Sequence, residues 1–376
     1  MSSRFYWYLP TEVFFGVSAL DVLSEKAAGL GRKALLVTGR SFAAKSGLRT
    51  RIEERLKAAG VAWAVFDGAI PDPEIGTVAA GAEVCRRENC NFVIGAGGGS
   101  AMDVAKGIAA AAPDPARPIE ELFGYEQLRV RPLPVAAVPT TSGSGSEVTR
   151  YAVIVDPAAR TKKTISSASI NPRLALVQPE LTLTLPADLT AETGLDAFCH
   201  AVEGSLAAAR TPVSLALARE AVRLITRHLP ELVRRPDDLA GREGMSLAAL
   251  TAGMVINQTG TIIGHGMGYP LTINYGIQHG LASVMAMPAI LDELIVTDEY
   301  GPVIREVTGW TEPGRQLRDF CGRLGRPASL KAAGIGRSDL PKLAAEAVVG
   351  CQRAMQNMGR NFTEADFLRF YESVYD

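Results

Sequence analysis

The sequence predicts two domains of different class, an α/β domain with a parallel sheet followed by an all-helical domain. In the first half, short apolar runs of strand type alternate with segments of helical periodicity, whereas after Pro186 only the helical periodicity continues. The chain has 376 residues, of which 47% are hydrophobic, enough to fill two cores. We therefore expect domains of residues 1–185 and 186–376.

The predicted strands of the first half are apolar and separated by helices. The first clear strand is KALLVTG at 33–39, and AWAVF, FVIGA and VAAVP follow at 62–66, 92–96 and 135–139. Helical patterns cover about 48–59 and 75–88, and a third helix begins after GGGS at 97–100. Shorter β-type pieces, YAVIV and LALVQ, come later. This alternation is typical of crossover helices on a Rossmann-like parallel sheet.

Charge and cysteine content narrow the class of protein. Thirty-nine basic and forty acidic residues give a net charge of -1 with no basic tract, which argues against a nucleic-acid partner. The five cysteines are an odd number without a C-x-x-C pair, which is poor material for a disulfide framework. The N-terminal segment contains Pro10 and Glu12 where a secretory signal needs an unbroken apolar stretch. We expect a cytoplasmic protein.

No charged residue occurs between Glu243 and Asp292, and an uncharged stretch of that length can span a bilayer. This stretch, however, contains several Asn, Gln, Thr and His residues and many glycines, and it lacks basic flanks. We interpret it as the buried centre of the helical domain, with no membrane partner.

Two small-residue loops follow predicted strands. The glycines at 97–99 and Ser100 open a helix, so their N–H groups can face a pyrophosphate; the alternative is a tight turn that needs positive φ. The loop PTTSGSGSE at 139–147 offers hydroxyl donors without bulk. It could line the ribose and nicotinamide of a dinucleotide, or it could be a flexible solvent loop.

A metal site is predicted from four side chains. Asp196 and His200 are four residues apart and share one helix face, and two of the other three histidines, His265 and His279, lie in the charge-free stretch. One Asp and three His suit Fe(II) or Zn(II). The alternative is that each histidine is a satisfied core residue or helix cap. His228 has the pattern of a solvated helix position.

Five motifs in order resemble the iron-containing alcohol dehydrogenase family: GGGSAMDVAK, PTTSGSGSEVT, TAETGLDAFCHAVEG, GHGMGYPLT and GIQHGLA. The resemblance spans nearly the whole chain and implies a dehydroquinate synthase-like architecture, with cofactor and metal in a cleft. Asp196, His200, His265 and His279 stand at the family's metal-ligand positions. The implied reaction is hydride transfer between NAD(P) and a small alcohol or aldehyde, with the metal as Lewis acid.

The resemblance also assigns contacts and assembly. It implies a homodimer or larger homo-oligomer, and it places Tyr151 and Ile256 at the substrate pocket. The cofactor positions are Gly97, Gly98, Gly99, Ser100 and Asp103 near the pyrophosphate, Thr140, Thr141 and Ser144 along the cofactor, and Lys162 and Leu181 at further contacts.

Two positions depart from the family pattern. Tyr269 stands where some members have a histidine, which predicts a phenol near the reacting oxygen. Gly39 stands where NAD-preferring members tend to carry an aspartate. The sequence Gly39-Arg40-Ser41 leaves room for a 2′-phosphate and can bind it, so we expect NADP(H), with NAD still possible. The alternative is that Gly39 only makes the turn and Arg40 points into solvent.

Two other functions are compatible with these features. A lyase or cyclase of the dehydroquinate synthase type uses the same architecture and needs the dinucleotide only transiently. A non-catalytic metal or nucleotide sensor would bind cofactor without turnover. Net oxidation or reduction of the cofactor with a plain alcohol or aldehyde separates both from the dehydrogenase.

Overall fold

The computed structural model describes residues 4–40, 43, 46–326 and 328–376. The chain forms two compact units. The sheet unit comprises Leu9–Thr141 and Gly145–Leu183, and the helical unit comprises Thr184–Asp376 with the segment up to Tyr8 and Ser142–Ser144. The single boundary that we expect between residues 185 and 186 does not account for these two short segments.

Hydrogen bonds explain why the short segments belong to the helical unit. The Asn257 side chain donates to the carbonyl of Tyr8 over 3.1 Å. The hydroxyl groups of Ser142 and Ser246 lie 3.0 Å apart and are buried. These contacts join residues far apart in the chain, so local sequence patterns do not indicate them.

The sheet unit is built on six parallel strands in the order β1-β9-β6-β4-β2-β3. A smaller sheet has the order β5-β8-β7, in which β7 and β8 are antiparallel. The strands are β1 (Glu12–Phe15), β2 (Lys33–Gly39), β3 (Ala62–Ala69), β4 (Phe92–Gly97), β5 (Gly124–Tyr125), β6 (Val135–Pro139), β7 (Tyr151–Asp156), β8 (Thr161–Ser166) and β9 (Leu174–Val177). The helices are α1 (Leu23–Leu30), α2 (Leu48–Ala58), α3 (Ile75–Arg87) and α4 (Gly99–Ala111).

Apolar side chains cover both faces of the large sheet. Along β2, Leu35 packs in one core with Ile108 of α4, and Leu36 packs in the other with Ile52 of α2. A parallel sheet covered on both faces requires continuous apolar strands, which is why these strands stand out in the sequence. The three strands that we did not predict, β1, β5 and β8, are partly exposed, and β8 has the polar sequence TKKTIS.

The helical unit contains α5 (Ala187–Leu206), α6 (Pro212–Arg234), α7 (Leu239–Thr259), α8 (Ile263–Tyr275), α9 (His279–Met285), α10 (Met287–Leu294), α11 (Gly301–Thr308), α12 (Pro313–Arg323), α13 (Leu340–Gly350), α14 (Gln352–Met358) and α15 (Glu364–Ser373). Its hydrophobic core runs from Ala191 to Val374. Among the residues described, no single helix has the length and hydropathy to cross a membrane, although α7 and α8, bent by 108°, pass that test as a pair.

Candidate metal centre and dinucleotide site

Three helices bring the predicted metal ligands together. Asp196 and His200 lie one turn apart on α5, His265 lies in the first turn of α8, and His279 begins α9. A glycine next to a ligand allows α9 to approach α5, because a Cβ on Gly280 would lie 2.0 Å from the carbonyl oxygen of Glu192. All four predicted ligands therefore lie on helices of one unit.

One carboxylate oxygen faces three imidazoles. Oδ1 of Asp196 lies 3.4 Å from Nε2 of His265 and 3.8 Å from Nε2 of both His200 and His279. Ligands placed about 2.1 Å from a tetrahedral ion are about 3.4 Å from one another. The donor atoms of Asp196, His265 and His279 all lie within 4.8 Å of one another, a set that can hold a metal ion.

Hydrogen bonding supports a metal at this position. Oδ1 of Asp196 and Nε2 of His265 are buried but form no hydrogen bond with any described residue. Leaving such atoms without a partner costs about 1–3 kcal/mol each. A divalent cation would satisfy both atoms, and an Asp with imidazoles is a donor set that iron and zinc accept. The residues present therefore fit the metal that the resemblance implies.

The pKa values reflect the same cluster. Burial favours the neutral form of Asp196, but the neighbouring imidazoles outweigh it and hold the pKa of Asp196 well below its usual range. Burial likewise opposes the charged form of His265, yet Glu203 and Asp196 raise its pKa to about 10. For His200, burial prevails and lowers the pKa. Carboxylates and imidazoles in this cluster thus favour positive charge at its centre.

Sequence reasoning missed Glu203, which lies directly behind His265. Its carboxylate is fully buried, with Oε1 2.5 Å from Nδ1 of His265 and Oε2 accepting the N–H of Ile262 over 2.8 Å. This contact keeps one His265 proton on Nδ1, so a bound cation would replace the proton on Nε2, the atom that faces Asp196. The available signal was spacing, since Glu203 follows Asp196 by seven residues on the same helix.

Tyr269 lies beside the predicted ligands. Helix α8 continues through Pro270 to Tyr275. The Tyr269 ring stacks on the His279 ring with the centroids 6.0 Å apart. Burial raises the pKa of the Tyr269 phenol, which therefore keeps its proton at neutral pH. Of the two predicted pocket residues, Ile256 is buried on α7 against Gly204 of α5, and Tyr151 begins β7 of the sheet unit.

Several of the predicted cofactor residues lie at the carboxyl ends of strands in the large sheet. Gly39, Gly97 and Pro139 end the neighbouring strands β2, β4 and β6, and the N–H of Thr140 donates to the carbonyl of Gly97 over 3.0 Å. The chain proceeds outward in opposite directions from β2 and from β4, so the crevice between their carboxyl ends is the place where open α/β sheets bind ligands. No described side chain caps α4, whose first N–H groups therefore remain available to an anion.

Other predicted residues are placed differently. Leu181 is buried in a short 3-10 turn after β9, and Ser144 belongs to the helical unit. Arg40 is exposed directly after β2, and Ser41 lies outside the described residues. Lys162 is in β8, where its Nζ lies 2.6 Å from a carboxylate oxygen of Asp72.

A crevice of this kind on a parallel sheet and an Asp-His-His-His cluster on helices are features of dehydrogenases that combine a dinucleotide with a metal. A family model described as iron-containing alcohol dehydrogenase matches residues 10–179, and the model for that family's C-terminal domain matches residues 190–375. The chain belongs to the iron-containing alcohol dehydrogenase family and is thus an oxidoreductase.

Individual relatives agree with this assignment. The chain is 36% identical to a 1,3-propanediol dehydrogenase of Citrobacter freundii, and the match covers 92% of each chain. It is 32% identical to a NAD-dependent methanol dehydrogenase of Bacillus methanolicus, over 91% of this chain and 92% of that protein. The crystal structure of an iron-containing alcohol dehydrogenase from Thermotoga maritima superposes with a TM-score of 0.88 at 33% identity, over 99% of both chains.

Proposed function

We propose that this enzyme transfers a hydride between NADP(H) and a small alcohol or aldehyde with the help of a divalent metal, Fe(II) or alternatively Zn(II). Asp196, His200, His265 and His279 would hold the metal. The observation that carries the proposal is the Asp196 oxygen that faces three imidazoles at 3.4–3.8 Å. When bound, the cation would act as a Lewis acid that polarises the substrate oxygen.

The protein's own contribution is positioning and exclusion of water. Asp196, His200 and His265 are each at most 6% exposed, so the ligands lie in a dry environment where charge interactions are strong. Glu203 holds His265 in the tautomer that presents Nε2. The Tyr269 phenol remains protonated and could donate a hydrogen bond to the substrate oxygen, which would orient the substrate. Tyr269→Phe should then lower kcat more than cofactor affinity; unchanged kcat and pH profile would make Tyr269 a packing residue.

For the cofactor, we propose that the pyrophosphate binds at the N-terminus of α4. The main-chain N–H groups of Gly98, Gly99 and Ser100 would contact it, with Thr140, Thr141, Ser144 and Leu181 along the rest of the molecule. Lys162 would have to leave Asp72 in order to contribute.

Cofactor preference can be tested at the end of β2. The family does not decide it, because one relative is named NAD-dependent and a butanol dehydrogenase of Clostridium saccharobutylicum is named NADPH-dependent. Arg40 is exposed beside Gly39, which has no side chain to obstruct a 2′-phosphate. We expect a higher kcat/KM with NADPH than with NADH and a loss of that preference in Arg40→Ala. A clear NAD preference that Arg40→Ala leaves unchanged would contradict the assignment.

The substrate is proposed to be a small alcohol or its aldehyde, with Ile256 and Tyr151 as pocket residues. The named relatives act on propanediol, methanol and butanol. Metal analysis of the purified protein, combined with an aldehyde panel in NADH and NADPH, tests the reaction. His265→Ala should lose metal and activity but keep its fold, and His228→Ala on α6 is the matched control. Full turnover by metal-free protein would overturn the mechanism.

We also propose a homodimer or larger assembly in the cytoplasm. Strand β1 is at an edge of the sheet, and nearby Phe15 and Val17 are 40% and 69% exposed, an apolar strip that a second copy could cover. Sedimentation at the monomer mass of 39.9 kDa would remove the oligomer proposal. The five cysteines are free thiols, as a reducing compartment maintains them.

A further inference from the structure

Lys106 is a fully buried cation on α4 whose ammonium group binds the end of the small-residue loop and the residues directly after it. Its Nζ donates to the carbonyl oxygens of Ser146, Thr149 and Tyr151 over 2.9, 3.2 and 2.5 Å. A buried charge is tolerated only where hydrogen bonds and an opposite charge compensate it. Here the opposite charge is Asp103, with Oδ1 3.5 Å from Nζ.

Asp103 holds the same segment from one turn earlier on α4. Its Oδ1 accepts the hydroxyl proton of Ser146 over 2.6 Å, and its Oδ2 accepts the N–H of Val153 over 3.0 Å. Both carboxylate oxygens are therefore engaged by residues 146–153. Asp103 and Lys106 together fix that segment at both of its ends.

We propose that Asp103 and Lys106 are positioning residues for the dinucleotide and that neither contacts it. The inference rests on the proposed function. The N-terminal turn of α4 presents the proposed pyrophosphate-binding N–H groups, and the next two turns hold the segment that connects the Thr140–Ser144 loop to Tyr151. Because one helix carries both features, cofactor and segment share a single rigid support. This pre-organisation reduces the ordering that binding would otherwise require.

The test compares Lys106→Met, Asp103→Asn and Ser146→Ala with wild type, all as metal-loaded full chains. Lys57→Met is the matched control, since Lys57 is exposed at the far end of α2. Fluorescence titration measures the Kd of NADPH, hydrogen exchange measures the amides of residues 146–153, and steady-state kinetics separate the cofactor KM from kcat.

For Lys106→Met we expect faster exchange across residues 146–153 and a Kd at least about tenfold higher, or ~1.4 kcal/mol. The cofactor KM should rise more than kcat falls. Ser146→Ala, a milder change that spares the lysine, should raise Kd severalfold and speed exchange of the Val153 amide. Asp103→Asn should do both, and Lys57→Met neither.

Two results would overturn the inference. One is a normal Kd in the folded Lys106→Met or Ser146→Ala protein despite a lower melting temperature, which would make the pair purely structural. The other is an altered Kd in Asp103→Asn with unchanged exchange at Val153, which would indicate direct contact with the cofactor. If wild-type protein binds neither NADPH nor NADH, the proposed function itself fails.

Discussion

Replacing Glu203 by Gln changes one atom of the carboxylate behind His265 and should weaken metal binding. The carboxylate accepts from Nδ1 of His265 and from the N–H groups of Ile262 and His265. A Gln side chain has a single oxygen. If that oxygen stays with the main chain, the amide NH2 faces Nδ1, and the imidazole must carry its proton on Nε2. That is the atom that faces Asp196, so a proposed metal ligand would be lost.

The size of the effect follows from these contacts. Removing the hydrogen-bond partner behind a ligating histidine typically lowers metal affinity by about 10–100-fold, or ~1.4–2.7 kcal/mol. If the Gln oxygen turns to Nδ1 instead, the Ile262 N–H loses its acceptor in a fully buried site, which costs about 1–3 kcal/mol of folding stability. One of the two losses must appear, because a single oxygen cannot serve both sides.

Chelator competition with Zn(II) measures metal affinity, and thermal denaturation of the metal-free protein measures stability. Asp188→Asn is the control, since Asp188 is an 80% exposed carboxylate on the same helix. We expect Asp188→Asn to retain wild-type affinity. Wild-type metal affinity and wild-type stability in Glu203→Gln would refute the role assigned to Glu203.

Three further predictions concern packing and pH. In Gly280→Ala the new Cβ would meet the Glu192 carbonyl oxygen and should displace α9. Metal content should fall, while the helicity measured by circular dichroism stays unchanged. Normal metal content would contradict this expectation. The Arg242 side chain is 1% exposed and donates hydrogen bonds to three oxygens, including the Leu185 carbonyl. Arg242→Met should therefore lower the free energy of unfolding, measured in urea, by about 3 kcal/mol or more. A loss below about 1 kcal/mol would disprove this expectation. Burial raises the pKa of Glu147 from 4.5 to about 7, so between these pH values the native state binds a proton that the unfolded state has lost. The free energy of unfolding should therefore fall by roughly 3 kcal/mol as the pH rises from 4.5 to 7. Urea unfolding at several pH values should show a shallower fall in Glu147→Gln, and equal slopes would argue against this titration.

The sequence patterns predicted the central strands because burial on both faces leaves a continuous apolar run. Strands β2 and β6 have the predicted bounds of 33–39 and 135–139. Strand β8 was not predicted, because TKKTIS has no apolar pattern and it becomes a strand by pairing with β7. In such a strand, pairing with distant parts of the chain outweighs local propensity.

The candidate site likewise contains some residues that the sequence patterns could indicate and others that they could not. Scarce histidines and the spacing of Asp196 and His200 predicted a cluster from residue types alone. Glu203 could not be assigned, because its role depends on α8 packing against α5. The direction of the Asp103 carboxylate could not be predicted either, because it depends on how residues 146–153 fold back onto α4. Pairwise partners across the fold are set by tertiary packing, and one sequence does not encode them as a pattern.

The charge-free stretch between Glu243 and Asp292 affects the chain before it is folded. It includes all of α8 and α9, which pack around the ligands. In an unfolded or newly synthesised chain the same stretch is exposed, and it lacks the charged gatekeeper residues that discourage self-association. Aggregation and correct packing therefore compete until these helices dock on α5. The composition that surrounds the proposed metal ligands thus makes the yield of folded enzyme depend on chain concentration and on folding speed.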